Sequence, residues 1–188
     1  GGSPTYLGAG GTMDKMKSHF NRMGIPESAF SRIFSPPKKE MGINVGRLTR
    51  YSEDWYTSLT SLGICARAQM NRFYGLELAT AFYNAVTGLN MQIEDLRIAA
   101  ERSWNLLKIL NVKEGFSRKD DKFPKGWFKP LKFGDNKLPL KDFYGETSIT
   151  TEIANQLLDD YYDERGWDKI SGQPTQEKIK ELGLEKYT

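Results

Sequence analysis

Apolar residues recur every three or four positions along most of the chain, the spacing of helices that bury one face. In "TMDKMKSHFNRMG", Met13, Met16, Phe20 and Met23 fall on one side and Gly24 is placed to end the helix. "IPESAFSRIF" predicts a short second helix that opens at Pro26 and ends before Pro36-Pro37, and "FSPPKKEMG" reads as a linker. Leu48, Tyr51, Trp55, Leu59 and Leu62 predict a longer helix over residues 46–62, with Gly63 as its stop. "YGLELATAFYNAVTG" turns Leu76, Ala79, Phe82, Tyr83 and Val86 inward and stops at Gly88. The most regular pattern is "NMQIEDLRIAAERSWNLLKILN", capped by Asn90, with Ile93, Leu96, Ala100, Trp104, Leu107 and Leu110 as its buried stripe. Two further helices are predicted between the cap Thr150 and the stop Gly166, and between Thr175 and Gly183.

Between them, residues 112–147 carry Pro124, Pro130 and Pro139, four glycines and seven aromatic residues, with no convincing β pattern. A loop this long is uncommon unless it covers a surface or carries function. Its aromatic content implies an arm that wraps apolar surface, its own or a neighbour's. The fold class expected is all-α, a helical domain with a long irregular covering arm. A domain boundary is expected near residue 45: a lead-in with short helices over 1–45, then a helical domain over 46–188.

Composition narrows the class. The 188 residues suffice for one domain, and 38% apolar content excludes a disordered chain. No apolar run approaches the roughly 18 residues that cross a bilayer. "GGSPTYLGAGGT" has neither a charged leader nor an apolar stretch, so it is not expected to be a signal peptide. It reads as the middle of something longer. A single cysteine rules out a disulfide framework and points to a reducing, cytoplasmic setting. The formal charge of +3 by itself implies no nucleic acid.

Several stretches invite chemistry. The glycine-rich start could cradle phosphate, but no Gly-Lys-Ser/Thr follows, and a turn or boundary is the plainer reading. "SRKDDKFPKGWFKPLKFGDNK" mixes seven Lys/Arg with aromatics, the composition of a single-strand-binding surface, yet no nucleic-acid motif frames it; a solvated covering loop is the alternative. Asp159, Asp160, Asp163 and Glu164 are read as a solvated helix face, since a cation site needs more oxygen ligands at fixed spacing. His19, the sole histidine, has no nucleophile nearby and is expected on the polar side of the first helix or near an interface. Cys65 follows the helix stop in "SLTSLGICARAQ". A lone thiol is either a small apolar residue or one contributor to a shared iron–sulfur site, which normally takes four thiolates.

From about Tyr51 onward the chain resembles the tungsten-containing aldehyde ferredoxin oxidoreductases, in their C-terminal helical region. "SLGIC" is similar to the family's Asp-x-x-Gly-Leu-Cys pterin-contacting motif. "FYNAVTGLNMQIEDL", "AERSWNLLKILNVKEGFSRKDDKFP" and "LLDDYYDERGWDKISGQPTQEKIKELGL" resemble family blocks in family order. The resemblance implies a bis-pterin tungsten (or molybdenum) centre beside a 4Fe–4S cluster, with Cys65 as the fourth cluster ligand and the other three cysteines in polypeptide absent from this chain. It implies cofactor contacts at Thr60, Leu62, Gly63 and Ile64. Gly63 allows close approach to the flat pterin, Ile64 takes the Leu position, and Thr60 stands where the family has Asp. No catalytic residue carries over. The implied activity is oxidation of aldehydes to carboxylic acids with ferredoxin, or an electron-transfer subunit, as acceptor. A related branch reduces benzoyl-coenzyme A. The implied partners are the remainder of the same enzyme and a possible second copy, with no nucleic acid and no membrane span, and this part alone would be inactive. The alternatives are a non-catalytic helical interaction module, which requires a buried Cys65, and a single-strand nucleic-acid binder using the basic arm.

Overall fold

The computed structural model describes residues 13–34, 43–65, 75–142 and 147–188. Seven α-helices lie among them: α1 Met13–Arg22, α2 Glu27–Ile33, α3 Val45–Ser61, α4 Leu76–Thr87, α5 Ile93–Lys113, α6 Thr151–Arg165 and α7 Gln176–Glu181. The chain is mostly helical, as its periodicity predicts. The stops at Gly24, Gly63, Gly88, Gly166 and Gly183 all fall just past helix ends with positive φ. The caps are equally local: Asn44, Thr150 and Thr175 accept hydrogen bonds from the backbone N–H groups of Arg47, Ile153 and Lys178. The glycine-rich start, the 35–42 linker and the side chains of Met13 and Met16 lie outside the described residues.

Helix α3 is the central strut, packed along α5 and α6 and touched by α2 and α4. Its face Leu48, Tyr51, Trp55 and Leu59 meets Phe20, Met23, Ile25, Ala29 and Ile33 in one core. Residues on both sides of the boundary expected near residue 45 therefore share that core. Phe20, Phe30 and Phe34 stack or meet edge to face within it. A second cluster, Ile109, Ile179, Leu182 and Leu184, seats α7 against the end of α5.

Helix α5 departs from the stripe its apolar residues predict. Leu96 and Ala100 are buried, but Ile93, Leu107 and Leu110 are exposed, and Glu101, Asn105 and Lys108 take inner positions. Charged partners on α3 and α7 make that polar face the inner one. Its start also differs: Gln92, not Asn90, precedes the first turn, and the Asp95 carboxylate accepts from the Gln92 N–H. Helix α4 buries Leu76 and Ala79 but leaves Phe82 and Val86 outside.

The arm is only partly irregular. It holds a 3-10 turn, Lys125–Phe128, and an antiparallel hairpin of β1 Leu131–Phe133 and β2 Asn136–Leu138. The absence of a β pattern expected from sequence is thus corrected by two strands too short to display alternation. Phe123 and Phe128 are half-buried, while Phe116, Trp127 and Phe133 are exposed. Phe143 and Tyr144 lie outside the described residues.

Helices α3 and α6 touch backbone to backbone. A Cβ on Gly46 would stand 2.0 Å from the Leu157 carbonyl oxygen. Gly46→Ala should force the helices apart and lower stability by about 2–3 kcal/mol. Gly126→Ala, where a Cβ meets nothing within 4 Å, should change it by less than about 0.5 kcal/mol. Chemical denaturation of both variants checks the difference.

Candidate functional site

The last turn of α3 sets the geometry of the chain segment that carries Cys65. The Gly63 N–H donates to the Thr60 carbonyl and the Ile64 N–H to the Leu59 carbonyl, both at 3.0 Å. This is the paired-bond helix ending that needs a left-handed residue, and Gly63 supplies it at φ 78°. Leu62 and Ile64 are half-buried and pack on the core cluster containing Leu59, which pins the turn to the strut. Cys65 follows immediately, exposed and free. A Cβ on Gly63 would meet nothing within 4 Å, so a flat group can approach that backbone. The exposed Thr60 hydroxyl donates to the Tyr56 carbonyl at 2.8 Å, which leaves its oxygen available as an acceptor. The five predicted residues are therefore brought together on one helix end.

Behind this turn α3 is held by a buried ionic network. Arg165, fully buried, donates to Asp54 Oδ1 at 2.6 Å, to Glu53 Oε2 at 2.7 Å and to the Arg50 carbonyl at 3.0 Å. Arg50 pairs with Glu101 at 2.6 Å, and Glu101 with Lys178 at 3.0 Å. The acidic strip on α6 forms a second ionic set and is only in part the solvated face expected of it: Asp163 is exposed, but all four carboxylates are paired. Glu164 is buried and accepts from Arg32, Arg47 and the Tyr51 hydroxyl, the last at 2.6 Å. Asp163 pairs with Arg47, Asp160 accepts from Asn44, and Asp159 pairs with Arg118. Among the described residues no group of three or more His, Cys, Asp or Glu is arranged to hold a metal ion. His19 is half-buried with its ring edge-on to Trp55 at 6.1 Å.

Burial alone would raise the Glu164 pKa. The hydrogen bonds from Arg32, Tyr51 and Arg47 outweigh it and hold the carboxyl down at about 2. Burial and the Glu164 carboxylate together push Tyr51 up to about 12. A cavity of about 580 Å³ opens beside the other half of α3, lined by Val45, Thr49, Glu53, Trp104, Phe123 and Leu157 among others. At 1.5 Å rise per residue, Thr49 and Ser61 lie about 18 Å apart along the axis, so cavity and cysteine turn are separate places.

The model of a family described as aldehyde ferredoxin oxidoreductase, domains 2 and 3, matches residues 10–184. The chain belongs to the aldehyde ferredoxin oxidoreductase family. It is 30% identical over 137 residues to the tungsten-containing aldehyde ferredoxin oxidoreductase of Pyrococcus horikoshii, covering 72% of this chain and 20% of that protein. It is 35% identical over 106 residues to the enzyme of the same name from Pyrococcus abyssi, covering 55% of this chain and 16% of that one. It therefore spans about a fifth of the length of the first of these relatives. The active-site complex BamBC of benzoyl-coenzyme A reductase, solved with 1,5-dienoyl-coenzyme A, shares the fold: TM-score 0.63 at 21% identity, over 94% of this chain and 26% of that one.

For a member of the aldehyde ferredoxin oxidoreductase family, the donor set on this chain fits a contributory role. One exposed thiol beside an open glycine can complete a site and cannot form one. The ionic network had no signal in periodicity, since each of its members reads as a surface charge. The spacing Arg50–Asp54, an i,i+4 pair of opposite charge on α3, was the one clue available.

Two consequences are measurable. The folded pKa of Glu164 lies below its ordinary 4.5, so its contribution to stability is complete above about pH 5 and is lost as pH falls from there toward about 2. Glu164→Gln should flatten the stability profile over that window in acid denaturation. Arg165→Met leaves Asp54 and Glu53 without their buried cation, and should cost about 3–5 kcal/mol in urea unfolding.

Proposed function

We propose that this chain is the C-terminal helical part of a tungstopterin and iron–sulfur oxidoreductase that oxidises aldehydes to carboxylic acids and passes the electrons to ferredoxin. One observation carries the reading: the only cysteine in a chain matched by this family model is exposed at the end of a core helix whose turn leaves its backbone open. A passive core thiol would instead be sealed inside.

In this reading Cys65 donates the fourth thiolate of a 4Fe–4S cluster. Thr60, Leu62, Gly63 and Ile64 form part of the wall against the pterin. The bound metal dithiolene would supply the redox chemistry and the protein its orientation. Gly63 keeps the wall flat, the apolar Leu62 and Ile64 hold water away from it, and the Thr60 oxygen accepts a hydrogen bond where the family carboxylate would. The remaining thiolates come from other polypeptide of the enzyme, so this part alone is inactive.

The outer face of α4 supports a large missing neighbour. Leu78, Phe82 and Val86 are exposed there, Val86 by 86%, and Glu77 is the helix's only charge. A helix apolar on both sides is suited to being covered on both. The second reading, reduction of an aromatic acyl-coenzyme A at the same kind of centre, draws on one feature: the neutral Thr60 in place of the family's Asp.

Cys65→Ala in the full-length protein should lower the iron content and abolish the low-temperature EPR signal of the reduced 4Fe–4S cluster, while far-UV circular dichroism stays unchanged. An intact cluster signal in that variant removes the ligand role.

A further inference from the structure

The cavity beside the first half of α3 has no part in the function proposed above. Its volume of about 580 Å³ is that of a small-molecule pocket. Three helices each give it one face: Thr49 and Glu53, a turn apart on α3, Trp104 and Leu107 on α5, and Tyr161 on α6. Phe123 of the arm closes the fourth side. The arm is pinned there, because Lys108 donates to Asp121 at 2.6 Å and Arg118 to Asp159 at 3.0 Å. The walls are therefore in place before anything binds, which lowers the cost of binding.

The polar atoms available to a ligand are few and of one kind. The Tyr161 hydroxyl is used up: it donates to Glu53 Oε2 at 2.7 Å and accepts from Trp104 Nε1 at 3.0 Å and Arg165 Nε at 3.3 Å. Arg165 also donates to Glu53 Oε2, at 2.7 Å. Both bonds to Glu53 thus end on one oxygen. Among the described residues Oε1 accepts no hydrogen bond, and the side chain is 26% exposed. Burial pushes the Glu53 pKa above the ordinary carboxylate value despite Arg165, so its ionised form gains from one more donor. The Thr49 hydroxyl donates to the Val45 carbonyl at 2.7 Å, and its oxygen can still accept. On this wall α3 offers acceptors and no spare donor.

Charge narrows the ligand further. Glu53 is paired with Arg165 and Asp121 with Lys108. An anion entering here meets the Glu53 carboxylate, and a cation meets Lys108 with Arg165 behind Glu53. The aromatic walls favour an aromatic body. We propose that this cavity binds a neutral aromatic molecule bearing a hydroxyl, a phenol or an aromatic alcohol, whose O–H donates to Glu53 Oε1 while its ring lies among Trp104, Tyr161 and Phe123. Thr49 and Ser61 lie about 18 Å apart along α3, so the site has no contact with the Cys65 turn and its occupancy is independent of any redox centre there. What the ligand touches is the Glu53–Arg165 pair that joins α3 to α6, and its binding stabilises the folded chain by mass action.

The test uses the full-length protein with phenol as probe and toluene and benzoate as controls of similar size, read by calorimetry and by thermal unfolding. Phenol should bind at least about ten-fold more tightly than either control and raise the unfolding temperature as it saturates. Leu107 is 55% exposed at the cavity mouth and lies outside the ionic network. Leu107→Trp should fill the space and weaken phenol binding at least about ten-fold, with unchanged far-UV circular dichroism. Glu53→Gln should change the kind of ligand preferred. Its amide oxygen is held where Tyr161 and Arg165 donate, which turns the NH2 group to the cavity. The wild type should prefer phenol to acetophenone, which only accepts, and this variant should reverse the order. Toluene binding as tight as phenol binding, phenol binding that Leu107→Trp leaves intact, or an unchanged order in Glu53→Gln overturns the proposal. So does the absence of phenol binding to the wild type, the result expected if another part of the enzyme fills the cavity.

Discussion

A single buried guanidinium decides how this domain is assembled. Arg165 on α6 reaches three sites within one turn of α3, the Arg50 carbonyl, Glu53 and Asp54. Its Nε donates to the Tyr161 hydroxyl. Removing such a charge from water is expensive, and only a complete set of partners offsets it. The set exists in one register of α6 on α3, because a slide of one residue would leave the cation without Asp54. The close approach at Gly46 is the steric half of the same constraint. The glycine lets the backbones meet where a side chain would hold the arginine out of reach.

The charges continue from there with alternating sign: Arg165, Asp54, Arg50, Glu101, Lys178. They run from α6 through α3 to α5 and α7, so four helices are keyed to one another by partners no two of which can be exchanged. Arg50 Nε and Asp54 Oδ2 lie 3.2 Å apart without hydrogen-bond geometry, which makes that link electrostatic. The result for the cysteine turn is rigidity. The first two-thirds of α3 are clamped by the network, its far end is closed by Gly63, and Leu62 and Ile64 are fastened to the core. A residue at position 65 is therefore carried at a fixed place on a stiff element, which is what a ligand to a shared centre requires.

What could be read from sequence follows a physical division. Helix ends are local, and Gly63, Gly166, Thr150 and Thr175 announce them with their own conformational and hydrogen-bonding preferences. The SLGIC turn was legible for the same reason, together with its resemblance to a family motif. Which way a helix faces is not local. Glu101, Asn105 and Lys108 read as a solvated side of α5 because Arg50 and Trp167 lie far away in sequence and Asp121 lies in the arm beyond the helix end. The acidic run on α6 misleads likewise, since Arg32 and Arg47 that neutralise Glu164 are more than a hundred residues upstream. The hairpin did leave a trace: Gly134-Asp135 between two short segments is a two-residue turn signal. Strands of three residues gave it nothing to alternate.

Two kinds of bare apolar surface remain, and they differ in a way that matters. The outer side of α4 is aliphatic and aromatic with almost no charge, a surface of the permanent sort that resembles a core cut open. The hairpin sets its leucines among lysines, on a two-stranded sheet with no further strand beside it among the described residues. The buried arginine underlies both, because it fixes α3, against which α4 packs, and α6, whose start follows the hairpin in the chain.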